Sequence, residues 1–430
     1  MASFLKDILS VGISKILMIL FGLGTSIIIA RTLGPEKNGI IAALLVYPSL
    51  FMSIGSLGIR QSTTYFLGKK IYSEDDIKRA ITQIWILTTA ISVIVCFILM
   101  TQFSESGDNL MWVILALIPI PFSLFNTYNS GIFLGKNQIS AFNKINWIPT
   151  LVILVLTVLF VLVFSLDIAG YLMAMIGGPV FIFFLLLFKN KFIKAFSFRF
   201  DWVIIKNMLS LGMVYAFALF IINLNYSLDI ILLDKLSLPY ETGIYSKGAG
   251  ITQFLWQIPM LLSTIVFARS AVAKDDKLFS FKVAQLLRLS FILIGLGSLI
   301  LFLFSEIIIV GFFGEAFRGS IQVLNYLIPG VILLTIYKVM NMDLAGKGKP
   351  WVSMKAMIPA LVVNIGLNLL WIPSLGANGA ALASTVSYTI AALLFLHFYS
   401  KEVGIPIRQI LHFKKSDFDP IVNIIKKIKR

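Results

Sequence analysis

Seven charged residues stand inside long apolar runs, and their chemistry needs the most explaining. Lys15, Arg60, Lys247, Lys338 and Lys355 are the cations, against Asp229 and Asp343 as the only comparable acids. A charge at membrane depth costs at least about 2.5–3.5 kcal/mol, so such side chains face a watery cavity or a partner. An excess of cations suits an anionic cargo such as a phosphate, which Arg grips through two parallel hydrogen bonds and Lys holds as a point charge. Arg60, Lys15 and Lys247 are the residues expected to bind that cargo. Arg60 leads because Gly55 and Gly58, just before it, let a neighbouring helix or a headgroup approach closely. Asp229 has two readings, as a carrier of a coupling H+ or Na+ or as the ion-pair partner of Lys247 at similar depth on the next helix. Lys338 and Lys355 lie near a membrane face, where snorkelling accounts for them.

Other chemistry lacks its residues. No Gly-x-x-x-x-Gly-Lys-Ser/Thr occurs: Gly135-Lys136 is followed by Asn137 and Gly346-Lys347 by Gly348, which argues against an ATP-driven pump. His397 and His412 are too few and too far apart for a metal site, and the sole cysteine, Cys96, lies in an apolar run. The expectation is therefore no catalytic residue, no metal and no bound cofactor. Transport would draw on an H+ or Na+ gradient, the membrane potential or the cargo's own gradient.

The elements that position these charges are membrane spans. Of the 430 residues 58% are hydrophobic and only 13% charged, a balance that rules out a soluble globule with one core. The mean hydropathy of +0.93 agrees. The apolar runs are too long for barrel strands, so the fold class is an all-α polytopic membrane protein. Spans are expected at roughly 8–31, 39–66, 79–101, 109–134, 145–165, 168–188, 207–233, 241–268, 284–304, 320–345, 351–372 and 377–400, about twelve helices. Kinks are expected around Pro121, Pro259 and Pro329. Alternate loops hold most of the cations: Lys69, Lys70, Lys78 and Arg79; Lys136 and Lys144; Lys189, Lys191, Lys194, Arg199 and Lys206; Lys274, Lys277 and Lys282; Lys347 and Lys349. The positive-inside rule makes those loops, and with them both termini, cytoplasmic. The tail agrees, since Lys414, Lys415, Lys426, Lys427, Lys429 and Arg430 suit an anionic membrane surface; a solvated end is the other reading.

The chain is also duplicated. The turn Arg31 to Ile40 carries Pro35-x-x-x-Gly39-Ile40 with Glu36 inside it, and Pro239-x-x-x-Gly243-Ile244 repeats the pattern with Glu241. Gly135-Lys136 is echoed by Gly346-Lys347, and Ser165, Leu166 and Gly170 by Ser374, Leu375 and Gly379, at offsets of 204 (Pro35 to Pro239), 211 (Gly135 to Gly346) and 209 (Ser165 to Ser374) residues. Six helices per copy give two lobes of the same orientation. Expected boundaries are residues 1–206 for the N-terminal lobe, 207–400 for the C-terminal lobe and 401–430 for a basic cytoplasmic tail. Arg31 and Glu36 then fall at an outer corner and read as gate residues, with the cargo site deeper, between the lobes.

The segment Ala30 to Ile40, the run Gly131-Ile132-Phe133-Leu134-Gly135, the stretch Asn225 to Leu232 leading to Gly243-Ile244-Tyr245-Ser246, the segment Gly311 to Phe317 and the stretch Ile372 to Ser384 together resemble bacterial polysaccharide flippases of the Wzx type. These belong to the multidrug/oligosaccharidyl-lipid/polysaccharide exporter superfamily. The resemblance implies a MATE-like and MurJ-like fold of two six-helix bundles in the bacterial cytoplasmic membrane. It also implies an undecaprenyl-pyrophosphate-linked oligosaccharide as cargo, moved from the cytoplasmic to the periplasmic leaflet for O-antigen, capsule or related polysaccharide synthesis. Its neighbours would be membrane lipids, a polysaccharide polymerase and chain-length machinery, and nothing points to nucleic acid. Two rivals differ in visible features. A multidrug or cation antiporter of the same superfamily would need acids deep in the cleft, and a glycan polymerase or ligase would need large outer loops.

Overall fold

The computed structural model describes residues 2–136, 138–189, 201–270, 273, 275–414 and 417, and these form helices joined by short turns, with no strand among them. In chain order the helices of the first half are α1 (Ala2–Gly55), α2 (Ile59–Gly68), α3 (Glu74–Phe103), α4 (Leu110–Leu117), α5 (Pro119–Gly135), α6 (Ile139–Thr157) and α7 (Asp167–Lys189). There follow α8 (Trp202–Leu236), α9 (Pro239–Gln253), α10 (Gln257–Ser270), α11 (Asp276–Leu303), α12 (Ser305–Phe313), α13 (Ser320–Gly346), α14 (Val352–Val403) and α15 (Ile407–Leu411). A bilayer core offers the backbone no water, so each apolar run closes its hydrogen bonds within itself.

Among the described residues nine segments are long and apolar enough to cross a membrane. Two of these hold two spans each, because Gly34 (φ 74°, ψ 177°) breaks α1 and Gly376 (φ 54°, ψ −131°) breaks α14. The stretch of α9, the 3-10 turn Phe254–Trp256 and α10 adds one more, so the described chain has twelve spans, the number its apolar runs predict. At the first break Pro35 restarts the helix, and Asn38 donates its Nδ2 to the carbonyls of Ile29 (3.0 Å) and Gly34 (2.7 Å). Two acceptors that the break would strand are thereby satisfied.

Helix ends follow the sequence chemistry. Ser73 caps α3 by accepting from the Asp76 amide, Asp201 caps α8 and Asp275 caps α11, each at the N-terminal end where an oxygen acceptor complements the free amides. Where the observed helices differ from the expected spans, a local cause is visible. The expected span 109–134 is divided at Ile118, because Pro119 supplies no amide to continue α4. The helix at 145–165 ends in a π turn, Val158–Val163. Helix α11 starts at Asp276, ahead of the expected 284, since hydropathy locates only the apolar part of a helix whose first turns are polar. A 3-10 turn precedes Pro259, and Pro329 lies within an unbroken α13. Asn137, Lys191, Lys194, Arg199, Lys274 and the tail cations Lys415, Lys426, Lys427, Lys429 and Arg430 lie outside the described residues.

The helices gather into two compact units, one of Met1–Asn223 with Leu233–Gly243 and one of Leu224–Leu232 with Ile244–Arg430. In the first, α1 packs on α6, α6 on α7 and α2 on α5, around a core that includes Ile59, Ile81, Phe125, Tyr128, Ile182 and Met208. In the second, α13 packs on α14, α10 and α11. Duplicated motifs do matching work in each. Lys136 bonds to Glu74 at the start of α3, at 2.8 Å, and Lys347 reaches the Asp276 carbonyl at the start of α11, at 3.0 Å. Gly170 packs on the Phe160 carbonyl and Gly379 on that of Trp371.

Within the first unit the two Pro-x-x-x-Gly turns meet each other. A Cβ on Gly39 would lie 1.8 Å from the Pro239 carbonyl oxygen, and one on Gly243 would lie 2.0 Å from that of Pro35. The contact is reciprocal and backbone to backbone, which only glycine permits.

Candidate functional site

Two acids buried in the second unit, Asp343 and Asp229, have opposite surroundings. Asp343, fully buried, accepts from Ser270 Oγ (2.6 Å), Ser280 Oγ (2.7 Å) and Tyr399 Oη (2.6 Å), and Lys347 Nζ pairs with it at 3.1 Å. Its charge is answered within its own turn of α13, so it serves to tie helix ends together. Asp229, also fully buried, takes only neutral donors among the described residues. Asn364 and Asn368 give their Nδ2 groups to Oδ1 at 3.2 and 2.8 Å, while the hydroxyls of Tyr245 and Ser384 bond to Oδ2. Lys247 is not among the four. Beside this carboxylate Asn368 Oδ1 is buried without a donor. Oxygen ligands are what hard cations take, so the Asp229 carboxylate and the Asn368 oxygen are the groups here that could accept a cation, and Asp229 the one that could accept a proton.

The local sequence explains the arrangement. Asn364 and Asn368 are one turn apart on α14 and so share a face, with Asn368 Nδ2 also bonded to Asn364 Oδ1 at 2.9 Å. Asp229 lies on α8, Tyr245 on α9 and Ser384 further along α14, beyond the Gly376 break. Each is a single polar residue in an apolar run. Their meeting has no signature in spacing, although such isolated polar side chains are the signal that could have found them.

One turn before Asp229 on α8, Tyr226 begins an aromatic cluster. Its ring lies 5.4 Å from Trp256 and 5.8 Å from Tyr388. Lys338 Nζ stands 4.1 Å from the Tyr226 ring and 4.5 Å from that of Trp256. The amine is thus held on aromatic faces inside the unit. Lys355, by contrast, is exposed and rests on Trp351 (4.3 Å), as an interfacial lysine does. Lys247 is buried, with its Nζ 5.6 Å from the Phe313 ring.

The cations of the first unit are of a different kind. Arg60 stands in the first turn of α2, after Gly58 in the left-handed region (φ 62°), and is partly buried. Its guanidinium has no hydrogen bond or ion pair among the described residues. The glycines before it admit helices: Gly58 lies against the backbone of Gly212 and Gly55 against Ser92 and Leu124. Lys15 on α1 is also partly buried and without a bonded partner among the described residues. At the outer turn Arg31 and Glu36 are exposed. An ion pair there joins Lys37 to Asp167, which the sequence did not single out.

The chain matches the family of polysaccharide biosynthesis proteins over residues 4–269. It belongs to that family. The putative O-antigen transporter of Shigella flexneri is 26% identical over 215 residues, 50% of this chain and 49% of that protein. The probable low-salt glycan biosynthesis flippase of Haloferax volcanii is 30% identical over 102 residues, 24% of this chain and 22% of that protein. This polysaccharide biosynthesis protein thus spans about half or less of the length of these two relatives. Its fold is that of lipid II flippase MurJ in its inward closed conformation, with a TM-score of 0.75 at 15% identity, covering 96% of this chain and 95% of that one. With the spans described above, it is a multi-pass membrane protein of the MurJ-like and MATE-like fold.

Proposed function

We propose that this protein is a flippase that moves an undecaprenyl-pyrophosphate-linked oligosaccharide across the bacterial cytoplasmic membrane by alternating access, without catalysis of its own. The observation that carries the proposal is the partly buried Arg60, whose guanidinium no carboxylate of the described residues neutralises. A cation at that depth without a partner is costly unless an anion visits it. A pyrophosphate is such an anion, and a guanidinium binds it through paired, charge-assisted hydrogen bonds. In this reading Lys15 and Lys247 hold the phosphates at different stages of transport. Family membership and the relatives named as O-antigen transporter and glycan flippase support the cargo class.

Asp229 supplies the coupling. Its charge is held by dipoles alone, and the free Asn368 oxygen beside it offers a second ligand. Na+ or H+ entering there would neutralise the carboxylate and change which hydroxyls and amides it holds across α8, α9 and α14. In the same reading both termini and the lysine-rich loops are cytoplasmic, and Arg31 and Glu36 lie at the periplasmic corner. The test is complementation of a deletion strain at matched protein levels. Arg60→Ala should abolish surface polysaccharide while Arg60→Lys keeps part of it. Equal function of the two variants would make Arg60 structural.

A further inference from the structure

After α14 ends at Val403 the chain does not leave the second unit. Gly404 turns in the left-handed region (φ 64°), Ser400 Oγ donates to the Ile405 carbonyl at 2.6 Å, and α15 follows from Ile407. Ile405 and Ile410 are buried against the body of the unit. The fixed point is a salt bridge that the sequence gave no reason to expect. Arg288 donates from Nε and Nη2 to the two oxygens of Asp417, both at 2.7 Å, and from Nη1 to the Ile410 carbonyl at 2.7 Å. The Lys414 amide completes the site by donating to Asp417 Oδ2 at 2.7 Å. Both side chains are buried, at 5% and 3% exposure. Residues 404–414 therefore form a strap clamped to α11 through Asp417.

The clamp sets the strap's height. Arg288 lies about 18 Å along α11 from Asp276, past the polar turns of that helix and just inside its apolar part. The strap thus runs at the level where the apolar surface of the unit begins, beside the end of its last span. Its outward face is mixed: Ile407, Leu411 and Phe413 are 37%, 36% and 47% exposed, and Arg408, His412 and Lys414 are exposed among them. The charge around it is one-sided. Glu402 is engaged by Lys349 and Asp417 by Arg288, whereas Lys401 and Arg408 form no ion pair among the described residues and Lys414 adds its charge beside the already engaged Asp417. Apolar side chains interleaved with unpaired cations at an apolar boundary match the acyl and headgroup layers of an anionic leaflet.

We propose that the strap is an anionic-lipid-binding element, with Ile407, Leu411 and Phe413 seated below the headgroups and Arg408 and Lys414 pairing with lipid phosphates. The inference does not depend on the transport reading. The full-length protein in nanodiscs of phosphatidylcholine, with and without one-third phosphatidylglycerol, tests it through hydrogen exchange of amides 405–414. Exchange should be slower in the anionic discs, and the Arg408→Gln/Lys414→Gln double variant should lose most of that difference. Each cation near an anionic surface is worth about fivefold, so the loss should approach about 25-fold. Both residues are exposed, so the variant leaves the core intact. Equal exchange of the wild type in the two discs would overturn the proposal. So would a difference that survives in the double variant, or protection that appears only when other membrane proteins are added.

Discussion

Replacing Asp229 by asparagine isolates the coupling role from the structural one. Alanine would leave the buried donors of Asn364, Tyr245 and Ser384 without their acceptor, at about 1–3 kcal/mol each, and would confound function with folding. Asparagine keeps the shape. Its Oδ1 can still accept from Asn364 and Asn368, and its new amide meets two hydroxyls, of Tyr245 and Ser384, which can turn to accept. Four charge-assisted bonds become neutral ones. With interhelical hydrogen bonds in membranes averaging about 0.6 kcal/mol and reaching about 1.7, the direct cost is about 1–3 kcal/mol. A cation bound at Asp229 in the wild type would add about 2.7 kcal/mol of stability at a concentration a hundred times its Kd. The assay is thermal unfolding of the purified protein in sodium chloride against choline chloride at equal ionic strength, repeated from pH 5 to 8. The wild type should gain stability from sodium, or change with pH if the proton is the coupling ion, and Asp229→Asn should unfold somewhat earlier and respond to neither. A wild type indifferent to both, or a variant that keeps the full response, would refute the coupling assignment.

Other outcomes follow from the geometry. Gly39→Ala or Gly243→Ala should destabilise the protein by about 1–3 kcal/mol in unfolding experiments, because either Cβ meets a carbonyl oxygen at 2.0 Å or less. Gly22→Ala, which meets nothing within 4 Å, should be close to neutral in the same experiment. Asp417→Asn should free the strap at about 3–5 kcal/mol, since it leaves Arg288 buried without its anion, and limited proteolysis within residues 404–414 would report it. The hydrogen bonds from Arg288 hold the Asp417 carboxyl below its ordinary range. Its contribution is therefore complete above about pH 3.9 and is lost as the pH falls through the lower folded value. Strap exchange, corrected for its intrinsic pH dependence, should stay flat from pH 8 to 5 and rise only in acid.

Much of the architecture was legible in the residues because the bilayer imposes it. Any run of about twenty apolar residues must be a helix, and the pairs Pro35 and Pro239, Gly135-Lys136 and Gly346-Lys347, and Gly170 and Gly379 recur at nearly constant offset. What the repeat could not announce is that its two Pro-x-x-x-Gly turns touch within the first unit: the fit of Gly39 on Pro239 and Gly243 on Pro35 depends on how helices distant in sequence cross. The charged residues were legible by cost, since any Arg or Asp in an apolar run must be answered. The answer itself was not. Asn364, Asn368 and Ser384 come to Asp229 from 135 to 155 positions away, and Asp417 comes to Arg288 from 129 away. Arg288 escaped notice because it sits at the edge of its apolar run, where a cation reads as interfacial.

The central claim is that this chain carries a lipid-linked oligosaccharide from one leaflet to the other. The measurement that meets it most directly is the leaflet distribution of that intermediate in a strain lacking the protein, read by a membrane-impermeant glycan label on intact spheroplasts. The account predicts that the intermediate accumulates beyond the label's reach and becomes labelled again when the wild-type protein, but not Arg60→Ala, is restored. Normal labelling of the intermediate in the deletion strain would contradict it.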